Sequence, residues 1–111
     1  MIEIEAVDGV NLTEWKHNVD AVTNAVPMVA LFDQLAEESA ELAKAAIKVA
    51  RVVRGENRTP VTRYEAMKNV MEELADLAVV LDVLELEPDR QVMKYKLKRW
   101  VERLQEGVKN V

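Results

Sequence analysis

The sequence predicts an all-α protein: a helical bundle of about four helices that forms a single domain over residues 1–111. Three Gly and three Pro provide few turns for a β-rich fold, and 50% apolar to 32% charged residues is the balance of a globular protein. Apolar side chains recur at alternating three- and four-residue steps, which is the period of an amphipathic helix. Two helix-start signatures, each with a glutamate three residues after the cap, support the same class. The chain is long enough for only one modest core, which favours assembly of copies.

The N-terminal 25 residues are predicted to form an arm and a short helix. Residues 1–10, MIEIEAVDGV, show no clear period. Asn11 is followed three residues later by Glu14, the spacing of a capping box. We therefore expect a helix over residues 12–25.

The second and longest predicted helix covers residues 28–54, because no Gly or Pro interrupts that stretch. Pro27 precedes it, and Gly55 is expected just past its end. One stripe repeats at helical steps and is expected to be buried: Leu31, Leu35, Glu38, Leu42, Ala45, Val49 and Val52. Glu38 is the one charged member of this stripe, standing where the pattern predicts leucine.

The third predicted helix covers residues 63–86 and starts at a capping box formed by Thr62 and Glu65. Its expected buried stripe is Met67, Val70, Leu74, Leu77, Leu81 and Leu84. A second line beside it is largely apolar at its ends and acidic in the middle: Ala66, Asn69, Glu73, Asp76, Val80 and Val83. Both long helices therefore carry acids in lines that otherwise face the interior.

The last predicted helix covers residues 89–105, with Pro88 accepted at its start. It is expected to bury an apolar face made of Met93, Leu97, Trp100 or Val101, and Leu104. No domain boundary or low-complexity segment interrupts the chain. Residues 28–104 are therefore predicted to form one helical core behind the arm and short helix of residues 1–25.

Acidic and basic residues lie in separate blocks along a chain whose net charge is −5. Residues 33–41 carry four acids and no base, and residues 71–89 carry seven acids and no base. Residues 43–63 carry six bases against one acid, and residues 90–111 carry seven bases against two acids. Such blocks can pair across a bundle, or hold a cation beside an anionic ligand. The acidic runs disfavour a nucleic-acid partner, because a phosphate backbone needs a continuous basic surface.

The composition excludes several classes of function. The absence of Cys rules out disulfides, thiol nucleophiles and thiolate metal sites. The sequence shows no secretory leader and no apolar run of about 18 residues, so we predict a cytoplasmic protein that does not span a membrane. His17 is the only histidine, which leaves no Ser-His-Asp or Cys-His set, and no Gly-rich phosphate loop occurs. Any chemistry is therefore expected to be metal-assisted.

Each of the two acidic helices offers carboxylates that share a face. Glu41 lies three residues after Glu38 and four after Glu37, and a like spacing separates Glu73 from Asp76. A single acidic pair is most often a solvated helix face, but two such pairs on consecutive antiparallel helices bring four carboxylates together. A core-facing ionised carboxylate is costly unless it is paired or binds a metal. A divalent cation between the helices relieves that cost, and all-oxygen ligation suits Mg²⁺, or Mn²⁺ in its place.

The two acidic motifs resemble a known signature. EESAE at residues 37–41, followed by ELAD at residues 73–76, is similar to the EExxE…ExxD pattern of the all-α nucleoside triphosphate pyrophosphohydrolases, the MazG-like group. The stretches GENRTP, MEELADLAVVLDVL and YKLKRWVERL are similar to short, stand-alone phage-type members. The resemblance covers residues 28–104 and leaves the first 25 residues unmatched.

The resemblance implies a dimeric helical bundle, or a dimer of dimers, that hydrolyses a nucleoside triphosphate between its α- and β-phosphates and releases pyrophosphate and the monophosphate. Standard, deoxy and modified nucleotides are all candidate substrates. The implied Mg²⁺ ligands are Glu38, Glu41, Glu73 and Asp76. Glu37 is implied to orient or deprotonate the attacking water, so the catalytic set is Glu37, Glu38 and Glu41. The implied triphosphate contacts are Arg58, Lys94, Tyr95 and Lys98, and Phe32 and Gln34 are the candidates for the base.

Two other functions remain open at this point. Phosphoribosyl-ATP pyrophosphohydrolases share a similar fold and acidic helices, although the additional N-terminal sequence expected of them is not evident here. The other alternative is a non-catalytic helical dimer, in which the acidic and basic blocks pair between subunits. Dependence on a divalent metal separates the enzymes from the interaction module.

Overall fold

The computed structural model describes residues 6–56 and 61–109. In this part of the chain a two-stranded hairpin precedes four helices, which confirms the mostly helical fold class. The elements are β1 Ala6–Val7, β2 Val10–Asn11, α1 Leu12–Ala25, α2 Met28–Arg54, α3 Arg63–Val83 and α4 Arg90–Lys109. The first two helices have the predicted bounds, whereas α3 ends earlier than residue 86 and α4 extends past residue 105.

The N-terminal hairpin was not predicted and replaces part of the expected arm. Val7 pairs with Val10 in an antiparallel register. Asp8 and Gly9, between them, have φ angles of 53° and 79°. Positive φ at both central residues is the pattern of a type I′ turn, for which Asp-Gly is a favoured sequence. Strands of two residues are too short to show the alternation of apolar and polar residues that marks a strand. The Asp-Gly dipeptide was therefore the only sequence signal for this hairpin.

The helix starts follow the predicted caps. The side chain of Asn11 accepts a hydrogen bond of 2.9 Å from the backbone N–H of Glu14. Thr62 and Glu65 form a reciprocal capping box, with distances of 3.1 Å and 3.5 Å between the bonded atoms. These contacts satisfy amide donors that have no partner inside a helix.

The helix ends explain why α3 is shorter than predicted. Gly55, just past α2, has φ of 72°, and Glu85, just past α3, has φ of 56°. The backbone N–H of Leu86 donates to Leu81 O at 2.9 Å, which closes α3 in a Schellman arrangement. Glu85 thus occupies a left-handed position that usually belongs to glycine, and the amphipathic pattern contains no signal for such a stop.

The core lies between α2 and α3, which pack as a helical hairpin. Its buried side chains are Leu31, Ala45, Ala66, Val80 and Val83. Every member of the stripe predicted for α2 is buried or half-buried, so that prediction is confirmed.

The stripe predicted for α3 is confirmed in part, because Val70, Leu77, Leu81 and Leu84 are half-buried. The more deeply buried line is the neighbouring one that contains Ala66, Val80 and Val83, whereas Met67 and Leu74 of the predicted stripe are 42% and 44% exposed. The line with the acids is the one that packs against α2. The predicted apolar line lies beside it, and its members are half-buried or exposed.

Helix α1 rests on α3 and meets the edge of the α2–α3 core at Val83. Trp15 Nε1 donates a hydrogen bond to the Asp82 carboxylate, the one side-chain bond between α1 and α3 in the described residues. Apolar residues of both helices, including Val19, Val22, Val79 and Val83, line the cleft around the indole.

Helix α4 does not pack against the rest of the chain, which corrects its predicted burial. Its expected apolar face, Met93, Leu97, Trp100, Val101 and Leu104, is exposed by 45% to 65%. The radius of gyration is 18.9 Å, against about 13 Å for a compact domain of this length. The bundle is therefore incomplete in a single chain. None of the described helices has the length and apolar character needed to cross a bilayer.

Candidate metal centre

Three carboxylates from the two acidic motifs meet between α2 and α3. Glu38, Glu73 and Asp76 each place one carboxylate oxygen within 4.8 Å of the oxygens of the other two. Glu38 comes from the middle of α2, and the other two residues lie one turn apart in the middle of α3. The acids that interrupt both packing lines therefore come together, as the sequence predicts.

The packing of the two helices explains this meeting. Glu38 lies between Leu35 and Leu42 on the face of α2 that contacts α3, and its side chain is half-buried. Glu73 is also half-buried, whereas Asp76 is exposed. The cluster is thus enclosed on the helix side and open to solvent at Asp76.

Negative charge accumulates in this cluster, and the described part of the chain contributes no ion pair to it. The pKa of Glu73 is raised above its ordinary value of 4.5, first by partial burial and then by the negative charges of Asp76, Glu41, Glu38 and Glu72. Within residues 6–56 and 61–109 no basic side chain forms an ion pair with the three clustered carboxylates. A cation from solution can supply the missing charge balance.

The donor set fits a hard divalent cation. Ligands of Mg²⁺ lie about 2.1 Å from the ion, so oxygens on opposite sides of it are about 4.2 Å apart. The three carboxylate oxygens lie within 4.8 Å of one another, so small side-chain rotations can bring them onto one ion. Mg²⁺ usually retains several waters and takes few carboxylates, and the open side at Asp76 leaves room for both water and substrate.

The other predicted acidic residues lie beside the cluster on exposed positions of α2. Glu41 is near enough to raise the pKa of Glu73, but its Oε1 lies 3.4 Å from Lys44 Nζ and it is not one of the three clustered ligands. Glu37 is exposed one turn before Glu41. Both acids thus border the cluster on α2 and do not lie within it.

The two candidates for base recognition occupy different settings. Gln34 Nε2 donates a hydrogen bond of 2.7 Å to Glu38 Oε1, so this side chain supports a cluster carboxylate. Phe32 is 47% exposed, which leaves its ring open to a ligand or a partner chain. The motif alone did not indicate the contact between Gln34 and Glu38, although their four-residue spacing on a helix allows it.

The predicted triphosphate contacts are not assembled within one chain. Lys94, Tyr95 and Lys98 are exposed on α4, which does not pack against α2 or α3. Arg58 lies outside the described residues. Glu72 was missed by the motif argument, although its place beside Glu73 makes it a further source of negative charge.

Comparison with known proteins found no relative. The chain matches no protein-family model, no curated protein and no solved structure. The similarity to the MazG-like group therefore rests on the two acidic motifs and their flanking stretches.

Proposed function

We propose that this protein is a Mg²⁺-dependent nucleoside triphosphate pyrophosphohydrolase, which cleaves between the α- and β-phosphates. The observation that carries the proposal is the convergence of Glu38, Glu73 and Asp76 within 4.8 Å, with no ion pair to a basic side chain among residues 6–56 and 61–109. An acidic cluster that bound no cation would keep its charge repulsion in the folded state.

The residues of the cluster have distinct parts in the proposed reaction. Glu38, Glu73 and Asp76 hold the metal, and Glu41 joins them when its contact with Lys44 is released. Bound Mg²⁺ would neutralise charge on the phosphates and lower the pKa of a water that it binds. This enzyme class needs no nucleophilic side chain, because positioning and charge stabilisation account for most of phosphoryl-transfer catalysis.

The proposed proton acceptor is Glu37, on the exposed side of α2. The water oxygen forms a bond to the α-phosphorus, and its proton passes to the Glu37 carboxylate. The bond between the α-phosphorus and the bridging oxygen breaks, and its electron pair leaves with pyrophosphate. The products are therefore the nucleoside monophosphate and pyrophosphate.

Substrate binding is proposed to use the basic residues outside the cluster. Lys94, Lys98 and Arg58 are the candidates for the phosphates, with Tyr95 beside them, and Phe32 offers an exposed ring to the base. Because α4 stands apart from the cluster in one chain, the complete site is proposed to form in a homodimer or homotetramer.

A substrate panel tests this function directly. Standard, deoxy and modified nucleoside triphosphates, together with phosphoribosyl-ATP, are incubated with Mg²⁺ while pyrophosphate and orthophosphate are measured separately. We expect pyrophosphate as the first product and no turnover in EDTA. Glu41→Gln should abolish turnover while the helical circular dichroism stays near native, and the exposed Glu56→Gln serves as the matched control. Orthophosphate as the first product would contradict cleavage between the α- and β-phosphates.

The exposed apolar face of α4 favours one alternative, a non-catalytic helical module that binds another chain. Such a module keeps its association in EDTA and turns over no nucleotide. Association that persists without metal, combined with an inactive substrate panel, would favour this alternative.

A further inference from the structure

The packed α2–α3 hairpin has one polar side and one apolar side. Its packing line contains Glu38 and Ala45 on α2, and Ala66 and Glu73 on α3. The residues three positions after these four are all polar, and we call them the polar side: Glu41, Lys48, Asn69 and Asp76. The residues four positions after the same four are all apolar and half-buried: Leu42, Val49, Val70 and Leu77.

Helical rotation places the polar side on one flank of the pair. A step of three residues leaves a side chain about 60° behind the starting direction, whereas a step of four turns it about 40° forward. Because the two helices pack antiparallel, equal rotations on them point to the same flank. The acidic cluster opens to solvent on this flank, since Asp76 belongs to the polar side and is exposed.

Lys48 and Asn69 are polar groups that the contacts within the chain do not explain. Both side chains are half-buried, and neither forms a side-chain hydrogen bond or an ion pair within residues 6–56 and 61–109. Polar groups removed from water usually have a hydrogen-bond partner. A ligand on the polar side would provide one for both residues.

Both residues lie on the same end of the acidic cluster, toward the C-terminal end of α2. Asn69 precedes Glu73 by one helical turn, about 6 Å along α3. Lys48 follows Glu38 by ten residues, about 15 Å along α2. Side chains on a helix lean toward its N-terminus, so the long Lys48 side chain extends back toward the cluster.

The charge along the hairpin favours an anion at this end of the cluster. Residues 43–54 of α2 carry four bases and no acid, and residues 63–70 of α3, beside them, carry two bases and one acid. In the other direction, residues 28–37 and 77–83 together carry three acids and no base. A phosphate chain held at the cluster by Mg²⁺ is therefore attracted toward Lys48 and repelled from the opposite end.

We propose that Lys48 and Asn69 bind the two phosphates that leave as pyrophosphate, so that the nucleotide lies along the polar side with its base toward the N-terminal end of α2. This inference rests on the proposed pyrophosphohydrolase function. The Lys48 ammonium group donates to the leaving phosphates and offsets the negative charge that develops on the bridging oxygen. The Asn69 amide donates to a non-bridging oxygen. These contacts come from the chain that holds the metal and are additional to those assigned to α4.

Product binding tests this subsite without turnover. Calorimetric titration of the full chain with pyrophosphate in MgCl₂ should show binding that Lys48→Met weakens about 10- to 100-fold, because a charge-assisted hydrogen bond is lost. Lys68→Met is the matched control: it removes the same charge from the same end of the hairpin, but residue 68 points about 100° away from Asn69. Because exposed charges are screened by salt, Lys68→Met should stay within about twofold of wild type.

The second test concerns the direction of the nucleotide. AMP, GMP, CMP and UMP are titrated separately into the same proteins. Lys48→Met and Asn69→Leu should weaken the binding of pyrophosphate and leave the affinity for the monophosphates near that of wild type. Lys48→Arg keeps the charge and should retain most of the pyrophosphate affinity. Lys48→Gln replaces Lys48→Met if circular dichroism shows that the methionine variant unfolds.

The outcomes separate this inference from the function on which it rests. Equal weakening by Lys48→Met and Lys68→Met, or a wild-type chain that does not bind pyrophosphate, would overturn the subsite even if the enzyme is active. Weaker monophosphate binding with unchanged pyrophosphate binding would overturn the direction. An inactive substrate panel would overturn the proposed function, whereas selective loss of pyrophosphate binding in Lys48→Met would still support the subsite.

Discussion

Gln34 and Glu38 lie one turn apart on α2, and the Gln34 amide donates a hydrogen bond of 2.7 Å to Glu38 Oε1. One oxygen of the carboxylate is therefore fixed in position while the other remains free. Groups that orient a metal ligand in this way often matter almost as much as the ligand itself. Gln34 is then a positioning residue for the cluster, whether or not it also meets a nucleotide base.

Gln34→Ala is expected to weaken Mg²⁺ binding about 10- to 100-fold, because the Glu38 carboxylate loses the partner that orients it. Calorimetric titration of the protein with MgCl₂ measures the change, and circular dichroism checks that the helices persist. Gln91→Ala, a glutamine change on exposed α4, serves as control. Equal affinities for wild type and Gln34→Ala would show that this contact does not support a metal ligand.

Glu73 should make the stability of the metal-free protein depend on pH. Its pKa in the folded state is raised above the ordinary value of 4.5 by burial and neighbouring carboxylates, so the folded state holds its proton more tightly than the unfolded state. Its favourable contribution is therefore complete below about pH 4.5 and is lost as the pH rises through the raised pKa.

Glu73→Gln removes this repulsion and should make the metal-free protein more stable than wild type at pH 7. The difference should shrink as the pH falls toward 4, where wild-type Glu73 is itself protonated. Urea unfolding in EDTA across this range measures it. Added Mg²⁺ should stabilise the wild type more than the variant, because a ligand that binds only the folded state raises its stability. A variant less stable than wild type at pH 7 in EDTA would argue against charge repulsion at this position.

The candidate site was predictable because its signal is local. Glu38 interrupts an apolar stripe, and helical spacing alone places it on the face of α2 that meets α3. The same reasoning holds for Glu73 and Asp76, although the line that contains them is more buried than the apolar line chosen for α3. Burial depends on which neighbour covers a face, and the period of a single helix carries no information about that neighbour.

The exposure of the apolar face of α4 in a single chain was not predictable for the same reason. The expectation that its apolar stripe is buried within one chain was wrong. Amphipathicity shows that a face requires a partner but does not distinguish a helix of the same chain from one of another copy. The stop after α3 was missed because it depends on the positive φ of Glu85, which glutamate adopts only rarely.

Trp15→Phe should loosen α1 from α3. The change keeps an aromatic ring in the cleft but removes the indole N–H that donates to Asp82. A hydrogen bond to a charged group contributes about 1.5–3 kcal/mol, and partial exposure of Trp15 lowers the expected loss to about 1 kcal/mol. Urea unfolding measures the loss, and Tyr64→Phe at an exposed aromatic position is the control. Equal stability of Trp15→Phe and wild type would show that the bond does not anchor α1.

Glu85→Gly should stabilise the protein, because glycine adopts the left-handed backbone of residue 85 without a steric penalty. That relief is partly offset by the greater freedom of glycine in the unfolded chain, so the expected gain in the free energy of unfolding is about 0.5–1 kcal/mol.

Gly55→Ala is the matched opposite change, since Gly55 ends α2 at φ of 72° and an added Cβ meets no atom within 4 Å. It should destabilise the protein by about 1 kcal/mol through backbone strain alone. Denaturant titration of both variants measures their free energies of unfolding. A Glu85→Gly protein less stable than wild type would mean that the Glu85 side chain stabilises the fold by more than its backbone strain costs.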